Sequence, residues 1–268
     1  MNEEKLTNLL TYLAEQQISV EPCIPKISVA DFTDHKTDQW SPFAVFYDKP
    51  IKLNDGMIAV SAASMAAVHI LDARPNMDIL DTCAAPGIKG LYLNKLIRNI
   101  SYTANDLSYA RLSRMKRLFH QFSVDAEIIH SDARVLSTKL QRQSFDRIIV
   151  DAPCSGEGVI LGGDHKLLDA WSTAKVKRLQ QLQVKILKSA WQILKPGGRL
   201  VYATCTLNKN ENERVIQKAL KIQLNVQTSP LMLTELPALS NGEAWRILPS
   251  KNSIGFFIAV LEKNEEIA

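Results

Sequence analysis

Apolar residues near the start of the chain fall at Leu6, Leu9, Leu10 and Leu13, the i, i+3, i+4, i+7 spacing of one helical face, and predict an amphipathic helix over 3–16. The pattern then breaks. Between 20 and 50 the chain carries Pro22, Pro25, Pro42 and Pro50 with few periodic runs, which reads as loops and short strands. Beyond residue 50, apolar runs at 77–80, 101–104, 126–129, 145–150 and 198–203 alternate with stretches of helical spacing. That alternation describes a mostly parallel sheet with helices on both faces. The clearest helix covers 173–194 and stops at "LKPGG", where Pro196 and two glycines turn the chain into the next strand. A last run, "GFFIAVLEK", predicts a late strand in the same sheet. The expected organisation is a lead-in over 1–50 and one α/β domain over 51–268.

Composition narrows the class only a little. A 268-residue chain, 46% hydrophobic and 22% charged, is an ordinary globular composition, and no apolar run approaches the roughly 20 residues of a membrane helix. The acidic start "MNEEKLTNLL" lacks the basic and apolar regions of a secretory signal, so a cytoplasmic protein is expected. Cys23, Cys83, Cys154 and Cys205 form no CxxC pair; free thiols and no metal site are expected. A net charge of +4 is compatible with a polyanionic partner and does not identify one.

In a doubly wound sheet, ligands sit beyond the carboxyl ends of the strands. Five such ends are readable. "DTCAAPGIKG" (81–90) combines small residues with Gly87 just before a helix, so its backbone can approach a ligand or simply make a tight turn. "NDLSYAR" (105–111) puts Asp106 about 25 residues later, near the spacing of an acid that grips ribose hydroxyls. In "HSDAR" (130–134), Asp132 is either a ligand or a helix N-cap. "DAPCSGEG" (151–158) holds Cys154 between a proline and a carboxylate, and "ATCTLNKNENE" (203–213) ends a strand on Cys205. If the two strands are neighbours, both thiols face one crevice with Asp151.

These motifs, in this order from about residue 50 to "GFFIA", resemble the Sun/Fmu-type (RsmB/NOP-like) RNA cytosine-5 methyltransferases, most specifically in "CAAPGIK", "DAPCSGEG" and "KPGGRLVYATCTLNKNENE". The resemblance implies a class I Rossmann-like fold, S-adenosylmethionine as cofactor, and a cytosine in structured RNA (tRNA or rRNA) as substrate, with the enzyme a monomer. It gives Cys205 the attack on cytosine carbon 6, Cys154 a part in product release, and Asp151 a hydrogen bond to the base. It wraps Cys83, Ala84, Ala85, Pro86, Gly87, Ile88 and Lys89 around the methionine part of the cofactor, bordered by Asp151, with Lys89 reaching the cofactor carboxylate or Asp151. Asp106 falls to the ribose and Asp132 to the adenine, while Arg111 either supports the pocket or is a solvated helix residue. The chain departs from the family at Ile88 and Gly90 and lacks the usual basic pair in "VILGGDHKLLDAW", and recognition is expected to proceed without the separate RNA-binding domain of many relatives. A DNA cytosine methyltransferase, using the Pro-Cys thiol for attack, and a non-catalytic RNA-binding scaffold are the alternatives.

Overall fold

The computed structural model describes residues 2–23, 27–31, 44–47, 57–231 and 236–265. Helix α1 (Glu3–Ala14) starts where the Asn2 side chain accepts the Lys5 N–H, and Glu3 and Glu4 complement its dipole. Strands β1 (Ile27–Asp31), β2 (Ala44–Tyr47) and β3 (Met57–Ala59) form a small antiparallel sheet in the order β2-β1-β3. It draws one strand from beyond residue 50; the prolines expected in loops lie, apart from Pro22, outside the described residues.

The larger unit runs α2 (Ala62–Ile70), β4 (Asp78–Asp81), α3 (Ile88–Leu96), β5 (Ser101–Asp106), α4 (Tyr109–Gln121) and β6 (Glu127–His130). A 3-10 turn at Ala133–Val135 leads to α5 (Leu136–Lys139), β7 (Phe145–Asp151), α6 (Glu157–Leu161), α7 (His165–Asp169) and α8 (Thr173–Ile193). Then come β8 (Leu194–Thr204), α9 (Glu213–Leu220), β9 (Asn225–Pro230), β10 (Glu243–Leu248) and β11 (Phe256–Glu262).

Eight strands make one sheet in the order β6-β5-β4-β7-β8-β11-β10-β9. The pairs from β6 to β8 are parallel, and β11 enters antiparallel beside β8. Alternation along these strands builds two cores. Ile79, Ile149 and Val201 pack with residues of α2, α3 and α4; Leu80, Ile148 and Leu200 pack with α8 and α9 on the opposite face. The expected α/β architecture is borne out, as are all five parallel strands and the late strand.

Two details differ. Leu194 is already extended and pairs with Phe145, so β8 begins ahead of Pro196 and "KPGG" lies inside the strand rather than in a turn before it. The proline restricts the residue before it to extended geometry, which ends the helix early. Strands β9 and β10 carried no clear expectation: β9 is a polar sheet edge ending in Pro230, without a buried face to impose alternation.

The chain passes from β4 outward to β6, then returns to β7 on the other side of β4. A crevice therefore opens between β4 and β7 at their carboxyl ends. Leu9 and Leu13 of α1 join Ile160, Leu161, Leu168 and Leu207 in a third apolar cluster over the loops beyond β7 and β8. Gly158 in α6 donates its N–H to the Cys205 carbonyl at 3.0 Å, and a Cβ at this position would overlap the Gly255 carbonyl. Gly158→Ala is expected to cost about 1–3 kcal/mol through overpacking, read from the shift of its chemical-denaturation midpoint. An unchanged midpoint would show that this contact yields freely.

Candidate active site

Strands β7 and β8 pair in parallel with Asp151 opposite Ala203. The chain leaves β7 through Ala152 and Pro153 to Cys154 and leaves β8 directly into Cys205, so the two thiols meet with sulfurs 3.1 Å apart. The hydrogen bond to Cys205, reinforced by burial, raises the Cys154 pKa well above the ordinary thiol value, keeping it protonated. All four cysteines are free.

Lys89, on the first turn of α3, reaches across to Asp151 at 2.6 Å and donates to Ser64 of α2 at 3.3 Å. Burial works against the Lys89 charge, but Asp151, Asp81 and Cys205 outweigh it and the pKa is raised. The ammonium therefore stays charged beside Asp151 and within the field of Cys205. Of the two options for Lys89, the structure supplies the contact with Asp151.

The loop bearing Cys154 is clamped from below. Gln183 of α8 donates to the Pro153 carbonyl and to Glu211 Oε2, each at 2.8 Å, while the Ser155 N–H donates to the same Glu211 oxygen at 3.0 Å. Glu157 lies alongside, fully buried. The Asn208 amide NH2 lies 2.9–3.0 Å from both Glu157 oxygens and from Glu211, the single Ser155 hydroxyl proton lies between the two acids, and Trp171 and the Leu207 N–H donate to Glu157. Two carboxylates can be buried this close only with such dense donation. Burial, followed by repulsion from Glu157, pushes the Glu211 pKa up to about 7. Glu157, Gln183, Asn208 and Glu211 were not singled out from the sequence, although the repeated Asn and Glu after a strand end were a usable signal.

A cavity of about 320 Å³ adjoins this centre on the β5 and β6 side. Cys83, Asp106, Arg111 and Asp132 line it, with Leu107, Leu182 and Ile186 as apolar walls. Asp106 is buried; it accepts the Ala85 and Ser108 N–H groups at 3.2 and 2.9 Å and pairs with Arg111 at 3.3 Å. Arg111 also donates to the Ala85 carbonyl, so it braces the cavity wall although its side chain is half exposed. Asp132 caps the 3-10 turn and is held by Arg134, whose hydrogen bonds lower its pKa; the N-cap reading and the cavity position both hold.

Ala84, Ala85, Pro86, Gly87 and Ile88 shape the turn from β4 to α3 and do not line this cavity. Gly87 adopts φ +102°, with no room for a Cβ against Met115 and Phe119. Gly90, the second departure from the family pattern, packs against the Tyr102 ring. Asp81 is completely enclosed at the end of β4, accepts the Tyr102 hydroxyl at 3.3 Å, and has its pKa raised to about 7 by burial.

A sequence model described as 16S rRNA methyltransferase RsmB/F matches residues 68–262. The chain belongs to the RsmB/F family. Among RsmB/F relatives, ribosomal RNA small subunit methyltransferase B of Shewanella oneidensis is 36% identical over 216 residues, 80% of this chain and 49% of that protein. Its namesake in Vibrio cholerae is 35% identical over 212 residues, 78% of this chain and 47% of that protein. The chain thus spans about half the length of the curated relatives it matches. Two solved structures from Pyrococcus horikoshii share the fold. A methyltransferase homolog protein superposes with a TM-score of 0.69 at 27% identity, over 88% of this chain and 86% of that one. NSun6 with SFG superposes with a TM-score of 0.67 at 27% identity, over 79% and 54%.

The buried acid under the Cys154 loop gives this RsmB/F protein a pH dependence. With the Glu211 pKa raised from 4.5 to about 7, the folded state binds more protons than the unfolded state in that window. The resulting stabilisation is full below pH 4.5 and is lost as pH rises through about 7, an effect on the order of 3 kcal/mol. Glu211→Gln is expected to flatten the stability curve between pH 5 and pH 7.5 in urea titrations (about this range, from the same pKa window). A variant curve parallel to the wild type would show that Glu211 titrates normally.

Proposed function

We propose that this chain transfers a methyl group from S-adenosylmethionine to carbon 5 of a cytosine in ribosomal RNA, through a covalent bond between Cys205 and carbon 6. The observation that carries the reading is the Cys154–Cys205 pair, 3.1 Å apart beside the Lys89–Asp151 ion pair. The names of the Shewanella and Vibrio relatives favour ribosomal over transfer RNA.

The residues of the cavity fit the cofactor. Asp106 retains acceptor capacity for ribose hydroxyls, Leu107, Ala133, Leu182 and Ile186 offer apolar surface to a flat ring, and Asp132 stands at the same wall. NSun6, of the same fold, was solved with SFG, an analogue of S-adenosylmethionine. When bound, S-adenosylmethionine supplies an electrophilic methyl group.

The protein's own part begins with the base. Carbon 5 of cytosine is a poor nucleophile until a sulfur adds at carbon 6, after which the ring has enamine character. Cys205 forms that bond. As the Cys205 sulfur bonds carbon 6, its proton passes through the Asp151 carboxylate, held by Lys89 at 2.6 Å, to N3, which takes up the displaced electron pair. After methylation the carbon 5 proton must leave and the carbon–sulfur bond must break. The carbon 5 proton passes to the Cys154 sulfur as Cys154, a thiol 3.1 Å away, gives its own proton to the departing Cys205 sulfur; the carbon–hydrogen electron pair closes the carbon 5–carbon 6 double bond, and N3 returns its proton to Asp151.

The test uses purified protein, radiolabelled cofactor and 16S rRNA, with nucleoside analysis of the product. Wild type is expected to yield 5-methylcytidine. Cys205→Ala should give neither product nor adduct, whereas Cys154→Ala should accumulate a nuclease-sensitive band of reduced mobility on a denaturing gel. Trapping in Cys205→Ala instead would exchange the roles of the thiols, as in the DNA enzymes. Cofactor binding without methyl transfer in wild type would leave the scaffold reading.

A further inference from the structure

Helix α8 carries five cations and no acid in its 21 residues. One face packs on the sheet; Arg178, Gln181, Lys185, Lys188 and Gln192, at steps of three and four residues, form an exposed polar stripe on another. From Arg178 to Lys188 that stripe runs about 15 Å along the helix axis. Two grooves flank it. The first, about 420 Å³, is lined by Arg134, Arg178, Gln181 and Lys185 and shares Leu107, Asp132 and Leu182 with the cofactor cavity. The second, about 350 Å³, is lined by Arg134, Ser137, Lys185, Lys188, Ser189 and Gln192. Arg134 and Lys185 belong to both, so the grooves form one trough between α8 and the turn at 132–137. The Ser137 N–H, bonded to Ser189 Oγ at 2.9 Å, ties its walls together. Asp132 is the one carboxylate among the lining residues, and Arg134 already pairs with it.

We infer that this trough binds the sugar–phosphate backbone of the substrate RNA, leading it away from the cofactor cavity along α8. The inference rests on the RNA reading of the active site. A strip of cations with amide hydrogen-bond donors between them suits a regularly charged polyanion, which brings several phosphates past 15 Å of surface (about that length, from helix rise and phosphate spacing). Of the five cations of α8, Arg178, Lys185 and Lys188 line the trough, joined from the opposite wall by Arg134. The trough also provides cations where the loop after "DAPCSGEG" lacks the family's basic pair.

The experiment compares Arg178→Gln/Lys185→Gln/Lys188→Gln with a control of equal charge loss on α4, Arg114→Gln/Lys116→Gln/Arg117→Gln. All six positions are exposed, and none lines the cofactor cavity. Binding of 16S rRNA is measured by filter retention across a salt series, alongside thermal melts and calorimetry with S-adenosylmethionine. The α8 variant is expected to bind about tenfold or more weakly at low salt, with a salt slope shallower by about two to three, while melting and cofactor affinity stay unchanged. Unaltered RNA binding in the α8 variant, or an equal loss in the α4 control, would overturn the inference. The measurement does not require turnover. Binding through α8 without methyl transfer would retire the catalytic reading and keep the trough; transfer with a wild-type salt slope would do the reverse.

Discussion

The parallel pairing of β7 with β8, in a register that sets Asp151 against Ala203, is the constraint on which the site depends. A slip of one residue would turn every side chain of one strand to the other face and part the sulfurs. The register is held by the apolar runs themselves: Ile149 and Val201 point into one core, Ile148 and Leu200 into the other. Core packing on both faces of the sheet thus fixes the geometry at its carboxyl edge, and β7, the direct neighbour of β4, brings Asp151 within reach of Lys89 on the helix that follows β4.

Beneath that edge the protein tolerates an expensive arrangement. Glu157 and Glu211 are removed from water within hydrogen-bonding distance of a single serine hydroxyl, where an unpaired charge would cost several kcal/mol, about the penalty for any buried ion. Dense donation from Asn208, Gln183, Trp171 and backbone N–H groups makes it sustainable, and in return the network pins the loops after both strands to each other and to α8. Tyr12 and Gln16, at and just beyond the end of α1, bond Asn210 and Lys209 of the same segment, at 2.6 and 2.8 Å. The N-terminal helix therefore braces the active-site loop from outside.

Strands and thiols were legible in the sequence because each rests on a local signal. Five apolar runs ended in small or acidic residues, and three of those ends carried cysteine. The network was not legible, since Gln183 is a polar residue on the buried face of a helix and its purpose appears only when Pro153 and Glu211 are brought to it. Asp81 reads as a strand end like Asp151, yet one is enclosed and the other half-buried because Tyr102 covers the first. Arg111 looked equally suited to solvent, and only the fold reveals its hold on Ala85 and Asp106. Strand β9, a polar edge, had no periodic face to announce it.

In the proposed reaction Cys205 makes the bond to the base and Cys154 does not. Ribosomal RNA containing 5-azacytosine tests this directly, because a ring nitrogen at position 5 carries no proton to lose after methylation and the adduct cannot collapse. Protein trapped on such RNA, digested with nuclease and protease and mapped by mass spectrometry, should carry the nucleotide remnant on the peptide containing Cys205. A remnant on the Cys154 peptide would contradict the account.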